Sequence, residues 1–225
     1  MPKHQVIRDV GRSLAALLQA EVAATRTKAK IHVATPSPEF LRKNSPCLAL
    51  YLYDVRPWYD VRTNENWNLE EEIVGDDGET YVVRYGRPID LSLHYLLTAS
   101  AEDLGDEHEL LAVGMKAFLE TPRLEAEHLL GDSFPKGEIV PVQLDDTWTI
   151  ETSASVFGSF GAGPRLAIGY KAAARLMSGK ETGRSKRVRT RHIDVFDPLR
   201  PPLGSVSAKE LGLEAKPPKI VASKK

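Results

Sequence analysis

Cysteine is almost absent from this chain, which has one in 225 residues, and no apolar run approaches the roughly 20 residues of a membrane span. A single cysteine excludes an internal disulfide framework and any zinc site built from cysteines, which is typical of a reducing compartment. Arg12, Gln19 and Glu21 interrupt the basic N-terminus too early for the core of a signal peptide. We therefore expect synthesis in a reducing compartment, no export by the general secretory route and no membrane partner.

Neither sign of charge dominates the whole chain, whose formal net charge is −1, but its two parts differ. Residues 1–177 carry 18 Lys and Arg against 26 Asp and Glu, whereas residues 178–225 carry 12 against 5. An acidic body with a basic tail predicts an acidic partner for the tail. That partner is nucleic acid, another protein, or an identical body in an oligomer.

The longest regular pattern lies in residues 87–124. Apolar and polar side chains alternate from Ile89 to Ser100, broken only by Leu96, which predicts a half-buried strand over 89–100. A polar turn at 102–106 follows, and helical spacing of apolar residues predicts an amphipathic helix over 106–120. We expect Asp106 to cap this helix and Pro122 to end it.

Similar patterns predict the remaining elements. Residues 7–24 have the spacing of an amphipathic helix, and residues 145–160 contain a second, more polar helical pattern. Strands are predicted at 47–55, 139–144, 165–177 and 185–196, the first of them apolar on both faces and therefore interior to its sheet. A turn at 179–183 suggests that the last two strands form a hairpin. The prediction is one α/β (α+β) domain, residues 1–197, with a mixed, largely antiparallel sheet and two main helices packed on it.

Two segments stand apart from the predicted core. Residues 56–86 are aromatic and charged, and Asp76-Asp77-Gly78 predicts the turn of a projecting hairpin. Trp58, Tyr59 and Trp67 in this segment are candidate interface residues. Residues 198–225 are rich in Pro and Lys and predict an extended or disordered C-terminal arm.

No set of residues in the sequence predicts a catalytic, cofactor or metal site. His108-Glu109 begins like a zinc-protease helix, but Ala112 stands where the second histidine is needed. His94 has no second ligand at metal-binding spacing, so we interpret it as a structural histidine, and Cys47 as a core thiol. The acidic run at 70–72 lacks the spacing of a calcium loop, and a solvated hairpin edge is favoured. We therefore expect a protein that is not an enzyme and has no cofactor.

The strongest charge signal is a basic terminal strand at 184–196. Its cations are Arg184, Lys186, Arg187, Arg189 and Arg191. Without interleaved aromatic residues, this strand is less typical of base stacking than of docking on an acidic protein surface. A nucleic-acid-binding module that uses this strand is the alternative, and an enzyme of unknown class is a second one.

The order of motifs resembles the cap, or tail-terminator, proteins of extracellular contractile injection systems, the phage-tail-like particles of bacteria. The helix IRDVGRSLAALLQAEV precedes the strand LYLYDVRP, then come PIDLSLHYLLTA and a helix with EHELL that leads to PRL. The resemblance covers roughly residues 5–196. In this chain Trp148 stands early, and Gly163-Pro164-Arg165 with Tyr170 replaces the Pro-Ser and tyrosine strand that family members usually have.

This resemblance implies a structural protein that acts by shape. Such proteins form a hexameric ring on the last tier of the inner tube and outer sheath and end polymerisation. The implied partners are copies of the chain itself and the sheath and tube proteins, with no small-molecule substrate. The implied location is the cytoplasm during assembly and then a particle that is released from the cell. A closed ring needs heterologous contacts between neighbours, and an acidic body with a basic strand suits such contacts.

Overall fold

The structure, a computed structural model, describes residues 4–25, 28–58, 70–135 and 137–186. These residues all lie in one unit of the chain, residues 1–187. The helices are α1 (Val6–Ala24), α2 (Pro38–Asn44), α3 (Leu104–Glu120) and α4 (Ile150–Ser159). The strands are β1 (Lys30–Val33), β2 (Cys47–Pro57), β3 (Glu70–Val74), β4 (Thr80–Tyr85), β5 (Ile89–Ser100), β6 (Arg123–Leu124), β7 (Val140–Leu144), β8 (Ala167–Leu176) and β9 (Glu181–Lys186).

Six strands form the main sheet, in the order β1-β2-β5-β8-β7-β6. The β1–β2 pair is parallel, and all other neighbours in this sheet are antiparallel. The prediction of a mixed, largely antiparallel sheet is therefore confirmed. The apolar strand at 47–55 is confirmed as interior, because β2 lies between β1 and β5 and Leu48 and Leu50 are fully buried.

Helices α1 and α3 pack on one face of this sheet and form the main core with it. Alternate residues of β5 point into this core, and Gly114 lets α3 approach closely, because a Cβ at that position would lie 2.8 Å from a methyl group of Leu97. The buried residues of β5, α1 and α3 in this cluster are Leu91, Leu93, Tyr95, Leu97, Ala99, Val6, Val10, Leu14, Leu18, Val22, Leu110, Leu111, Ala117 and Phe118. The two predicted amphipathic helices are confirmed.

The opposite face of the sheet is also covered, which corrects the prediction of a half-buried strand at 89–100. Every residue of β5 from Leu93 to Ser100 is buried. Leu41 of α2 packs on this side against Cys47 and Ala49 of β2. Further along the same side, Trp148 packs closely on Gly169, and the ring of Phe160 meets that of Tyr51 at 5.2 Å. The polar residues of β5 on this face therefore pair inside the protein instead of facing water.

Strands β3, β4 and β9 form a second, three-stranded sheet in that order. Strands β3 and β4 pair antiparallel on either side of the predicted turn at Asp76-Asp77-Gly78, where Gly78 has a φ of 75°. Strand β9 pairs with β4, so the predicted hairpin between the last two strands is wrong. The predicted turn at 179–183 is also too long, because residues 181–186 already form β9.

Strand β9 pairs with β4, and not with β8, because β4 and β9 continue the ladder that β5 and β8 form. Paired residues run in nearly constant register from Thr98–Ala167 through Ile89–Leu176 to Tyr85–Glu181 and Tyr81–Lys186. Where the strands are interrupted, the Gly86 amide donates to the Lys180 carbonyl at 2.9 Å. The chain therefore forms one long two-stranded ribbon across both sheets, and residues 177–180 pass along it without turning back.

Local details at helix ends also differ from the predictions. Helix α3 begins at Leu104, and its N-cap is Asp103, whose carboxylate accepts from the Gly105 amide at 2.7 Å, not Asp106. Helix α2 was not predicted, although Ser37 caps it and Pro38 opens it. Of the helices in the described ranges, none has both the length and the apolarity that crossing a membrane requires.

Candidate functional site

The predicted interface residues are only partly within the described residues. Arg184 and Lys186 lie in β9 and are exposed. The Arg184 guanidinium carbon lies 4.3 Å from the centre of the Tyr81 ring, and the Lys186 ammonium lies 6.0 Å from it. Both cations are therefore on one face of the three-stranded sheet, over the same aromatic ring.

Trp58, the third described interface candidate, is half-buried at the end of β2, and its backbone amide donates to the Asp90 carbonyl at 2.8 Å. Its side chain lines a depression beside Ser92 and His94. This position places it at the main sheet rather than beside Arg184 and Lys186. Tyr59, Trp67, Arg187, Arg189 and Arg191 lie outside the described residues, and so do the rest of the predicted basic strand and the predicted arm.

The other edge of the second sheet is acidic. Glu70, Glu71 and Glu72 are all exposed on β3, as expected for a solvated hairpin edge. Glu70 forms an ion pair with Arg84 of β4, with 2.9 Å between Nε and Oε1. At such exposure an ion pair contributes little to stability, so this pair positions charge more than it holds the fold together. The three-stranded sheet thus has an acidic edge strand and a basic one.

A buried polar cluster lies on the second face of the main sheet. Its centre is Asp145, whose Oδ2 is 2.5 Å from Nδ1 of His94 and 2.7 Å from the donating Tyr53 hydroxyl. Oδ1 accepts from the amide and the hydroxyl of Thr147, at 3.0 and 2.7 Å. Burial opposes the charge, but these hydrogen bonds outweigh it and hold the pKa of Asp145 well below its usual range. Burial and the bond to Asp145 raise the pKa of Tyr53 well above its ordinary value.

Ser92 extends this cluster, with its Oγ 3.1 Å from Nε2 of His94. The order serine–histidine–aspartate matches that of a hydrolase triad, but Ser92 lies inside β5, paired with Arg56 on one side and Ala173 on the other. A nucleophile needs an exposed turn with unpaired amides that stabilise an oxyanion, and the backbone at Ser92 is part of the sheet. The cluster instead ties the segment after β7 to β5, and both ring nitrogens of His94 have partners. The hydrogen bonds of His94 agree with its interpretation as a structural histidine.

Sequence reasoning missed the partner of His94 because Asp145 is 51 positions away, and no local pattern connects them. Cys47 is fully buried, and burial raises the pKa of its thiol, as expected for a core cysteine. His108 is exposed on α3. Within the described ranges, no group of three or more His, Cys, Asp or Glu side chains is placed to hold a metal ion.

An exposed apolar groove lies between α3 and β7. Leu119 is 80% exposed and Leu144 is 58% exposed, and Met115, Phe118 and Tyr170 line the groove with them. Apolar surface of this kind is common at contacts between proteins. Together with the two charged edges, it makes protein contact the best supported use of the described surface.

Comparison with known proteins agrees with this architecture. The chain is similar in structure to the sheath/tube terminator of PVC, an extracellular contractile injection system, in its extended state, with a TM-score of 0.58 and 16% identity. It is also similar to the tube-terminating cap of the anti-feeding prophage, with a TM-score of 0.58 and 15% identity. These likenesses cover 92% and 86% of this chain but only 67% and 62% of the solved chains. No curated protein sequence matches this chain.

A family model also matches most of the sequence. The match is to the Pvc16 N-terminal domain and runs over residues 9–191, which includes most of α1, the whole main sheet and the second sheet. This match agrees with the resemblance inferred from the order of motifs. The chain belongs to the Pvc16 N-terminal domain family.

Proposed function

We propose that this protein is a structural cap that ends the inner tube and contractile sheath of a phage-tail-like contractile injection system. The observation that carries the proposal is the family match over residues 9–191, in a chain whose fold is similar to that of two terminators. Ser92 of the Ser92–His94–Asp145 cluster lies within the paired strand β5 and not on a turn, which supports a structural role over a catalytic one.

The physical task of such a cap explains why surfaces matter here more than chemistry. A polymer built by repeated translation has no intrinsic length, so a protein at its end must bind there better than the next subunit does. One surface must match the last tier, and the opposite surface must offer nothing to copy. The exposed groove between α3 and β7 and the charged edges of the second sheet are surfaces of the kind that such binding needs.

The assembly we propose is a ring, six-fold, of identical chains. Its partners are the neighbouring copies and the sheath and tube proteins. The contacts include the acidic body and the basic strand at 184–191, with Trp58, Tyr59 and Trp67 as further contact residues. Residues 1–197 are the terminator-like domain, with the projecting hairpin at 56–86, and residues 198–225 are the arm. Assembly takes place in the cytoplasm, and the finished particle acts outside the cell.

Deletion of the gene tests the cap function. Tube and sheath subunits should still fold, but particles should vary in length or lose stability, because nothing competes with further addition at the distal end. Electron microscopy of particles from the deletion strain, with a complemented strain as control, measures both properties. Particles of normal length, normal stability and unchanged distal tip would contradict the cap function.

A further inference from the structure

We propose that copies of this chain join head to tail through the edges of the three-stranded sheet, with β3 of one copy beside β9 of the next. The inference rests on the ring proposed above and names the contact that closes it. The partner at each edge is therefore a second copy of this chain.

The two outer strands of this sheet face apart and are exposed. Strand β4 lies between them, so β3 and β9 face away from each other, and within the described ranges neither has a strand on its outer side. All residues of β3 except Ile73 and all residues of β9 except Gly183 are exposed, and Val74 is 72% exposed. An uncovered edge strand is a template for pairing with another chain. Two edges that face apart suit a contact repeated around a ring.

The two edges of the sheet carry opposite charge. Strand β3 carries Glu70, Glu71 and Glu72 and no cation, whereas β9 carries Arg184 and Lys186 against one acid, Glu181. Glu71 lies on the same face of the sheet as Arg184 and Lys186, and Glu72 lies on the other face with Glu70, which pairs with Arg84 of β4. Like charges placed opposite each other on neighbouring strands are unfavourable, and opposite charges are favourable. Pairing of β3 with β3, or of β9 with β9, is therefore disfavoured, and β3 with β9 is favoured. This selection disfavours a two-fold contact between like edges and favours a heterologous one, which a ring of more than two copies requires.

Contacts within the chain hold the cationic side chains of β9 at the edge and leave their N–H groups available to donate hydrogen bonds. Arg184 lies over the Tyr81 ring, and Lys186 is near the same ring. A guanidinium over an aromatic face keeps N–H groups at its rim that can donate to carboxylates of another strand. The cations of β9 are thus ordered before a partner arrives, which lowers the entropy cost of binding.

Strand direction gives the geometry of the contact. Both β3 and β9 are antiparallel to β4, so they run in the same direction. A neighbour generated by rotation about an axis along these strands keeps that direction. In such a ring β9 of one copy and β3 of the next meet as parallel strands, and main-chain hydrogen bonds add to the attraction between their side chains.

Two variants, each with the charge of one edge reversed, test the contact, first separately and then mixed. One variant carries Arg184→Glu and Lys186→Glu, so that both edges are acidic, and the other carries Glu71→Lys and Glu72→Lys, so that both become basic. Each variant alone should associate at least about tenfold more weakly than the wild-type chain, because like charges then face each other. A mixture of the two should recover association, and its complexes should contain the variants alternately and hence in even numbers. A single chain with all four substitutions should also recover it.

Native mass spectrometry of the full-length chains gives the stoichiometry, and circular dichroism checks that each variant is folded. The matched control is Glu125→Lys with Glu127→Lys, which changes charge equally at exposed positions away from both edges and should assemble as the wild type does. Single variants that assemble normally, or a mixture and a four-fold variant that both fail to recover, would overturn the edge contact while leaving the ring in place. Variants that form normal rings but no longer bind the sheath protein would overturn it in favour of strand addition to the sheath. A wild-type chain that forms no ring would contradict the ring itself, and with it this contact.

Discussion

Tyr95 lies in the middle of β5 with 1% of its surface exposed, and its hydroxyl has no hydrogen-bond partner among the described residues. The ring packs beside α1, where a Cβ at Gly11 would lie 3.6 Å from the hydroxyl oxygen. Burial raises the pKa of Tyr95 far above its ordinary value, so this hydroxyl stays neutral. An unpaired buried hydroxyl has lost its bonds to water and gained none in return.

Tyr95→Phe should therefore raise the free energy of unfolding by up to about 1 kcal/mol, or leave it unchanged, because it removes a group with an unfavourable desolvation. Urea denaturation measures the change. Tyr53→Phe is the matched control: it removes a hydroxyl that donates to Asp145 at 2.7 Å and should cost about 1–2 kcal/mol. A loss of stability in Tyr95→Phe as large as in the control would show that the Tyr95 hydroxyl has a partner.

The buried carboxylate of Asp145, unlike the hydroxyl of Tyr95, is fully hydrogen-bonded, because four donors surround it. Asp145→Asn should lower the free energy of unfolding by about 3 kcal/mol at neutral pH, because the amide offers N–H groups where the cluster needs an acceptor. The folded-state pKa lies below the usual value of 3.8, so the stability from this carboxylate is complete above that pH and is lost as the pH falls towards the folded-state pKa.

The difference between the wild-type protein and Asp145→Asn should therefore narrow on acidification below about pH 4. Urea denaturation at a series of pH values measures it. An unchanged difference down to about pH 2 would mean that the charge of Asp145 contributes nothing to folding.

At the scale of elements, α1 is joined to the segment after β6 through two polar side chains. Ser133 donates to Asp9 Oδ2 at 2.5 Å, and the Ser13 hydroxyl accepts from the Leu130 amide at 2.8 Å. Burial opposes the charge of Asp9, but the bonds from Ser133 and Arg8 keep its pKa below the ordinary value. Gly131 closes the contact, with a φ of 104° and no room for a Cβ beside the Asp9 carboxylate.

Gly131→Ala should lower the free energy of unfolding by about 3 kcal/mol, since it combines a strained backbone angle with a collision against a buried carboxylate. Gly137→Ala is the matched control, because its φ is also positive, at 77°, but nothing lies within 4 Å of the added Cβ. The control should cost about 1 kcal/mol. Thermal unfolding of both variants separates the contribution of backbone strain from that of the collision. Equal losses of stability in the two variants would show that the collision at Gly131 is relieved without cost.

Sequence patterns predicted those elements whose signal is local. Alternation over 89–100 and helical spacing over 7–24 both depend on neighbouring residues, and both elements are present. The partner of β9 was predicted wrongly because strand pairing is not local, and four residues between two strands resemble a hairpin turn. The seven residues of α2 are too few to show periodicity, although Ser37-Pro38 is a typical helix start. The link between His94 and Asp145 was not predicted because it, like the pairing of β9, joins residues that are far apart in the sequence.

At the scale of the whole molecule, charge is divided between an acidic body and a basic tail. Replacing Arg187, Arg189 and Arg191 by Glu should weaken ring formation or docking on the sheath at least about tenfold, because like charges then meet across the contact. Sedimentation and sheath-binding assays measure this effect. Lys28, Arg42 and Lys43 are exposed in the body, and their replacement by Glu is the control with equal charge change.

Wild-type assembly by the Arg187, Arg189 and Arg191 variant would place the interface elsewhere. The same proteins also test the nucleic-acid alternative. Binding of duplex DNA that falls steeply with salt, and that disappears in this variant but not in the control, would support that alternative instead.

The ribbon formed by β4 and β5 with β8 and β9 has a mechanical consequence. From Tyr81 to Thr98 it is about 60 Å long, and its hydrogen bonds lie across the strands. A pull along the strands therefore strains many of these bonds together, whereas a pull across one end opens them one after another. Resistance to force in this molecule depends on direction, and tension along the ribbon meets its stiffest axis.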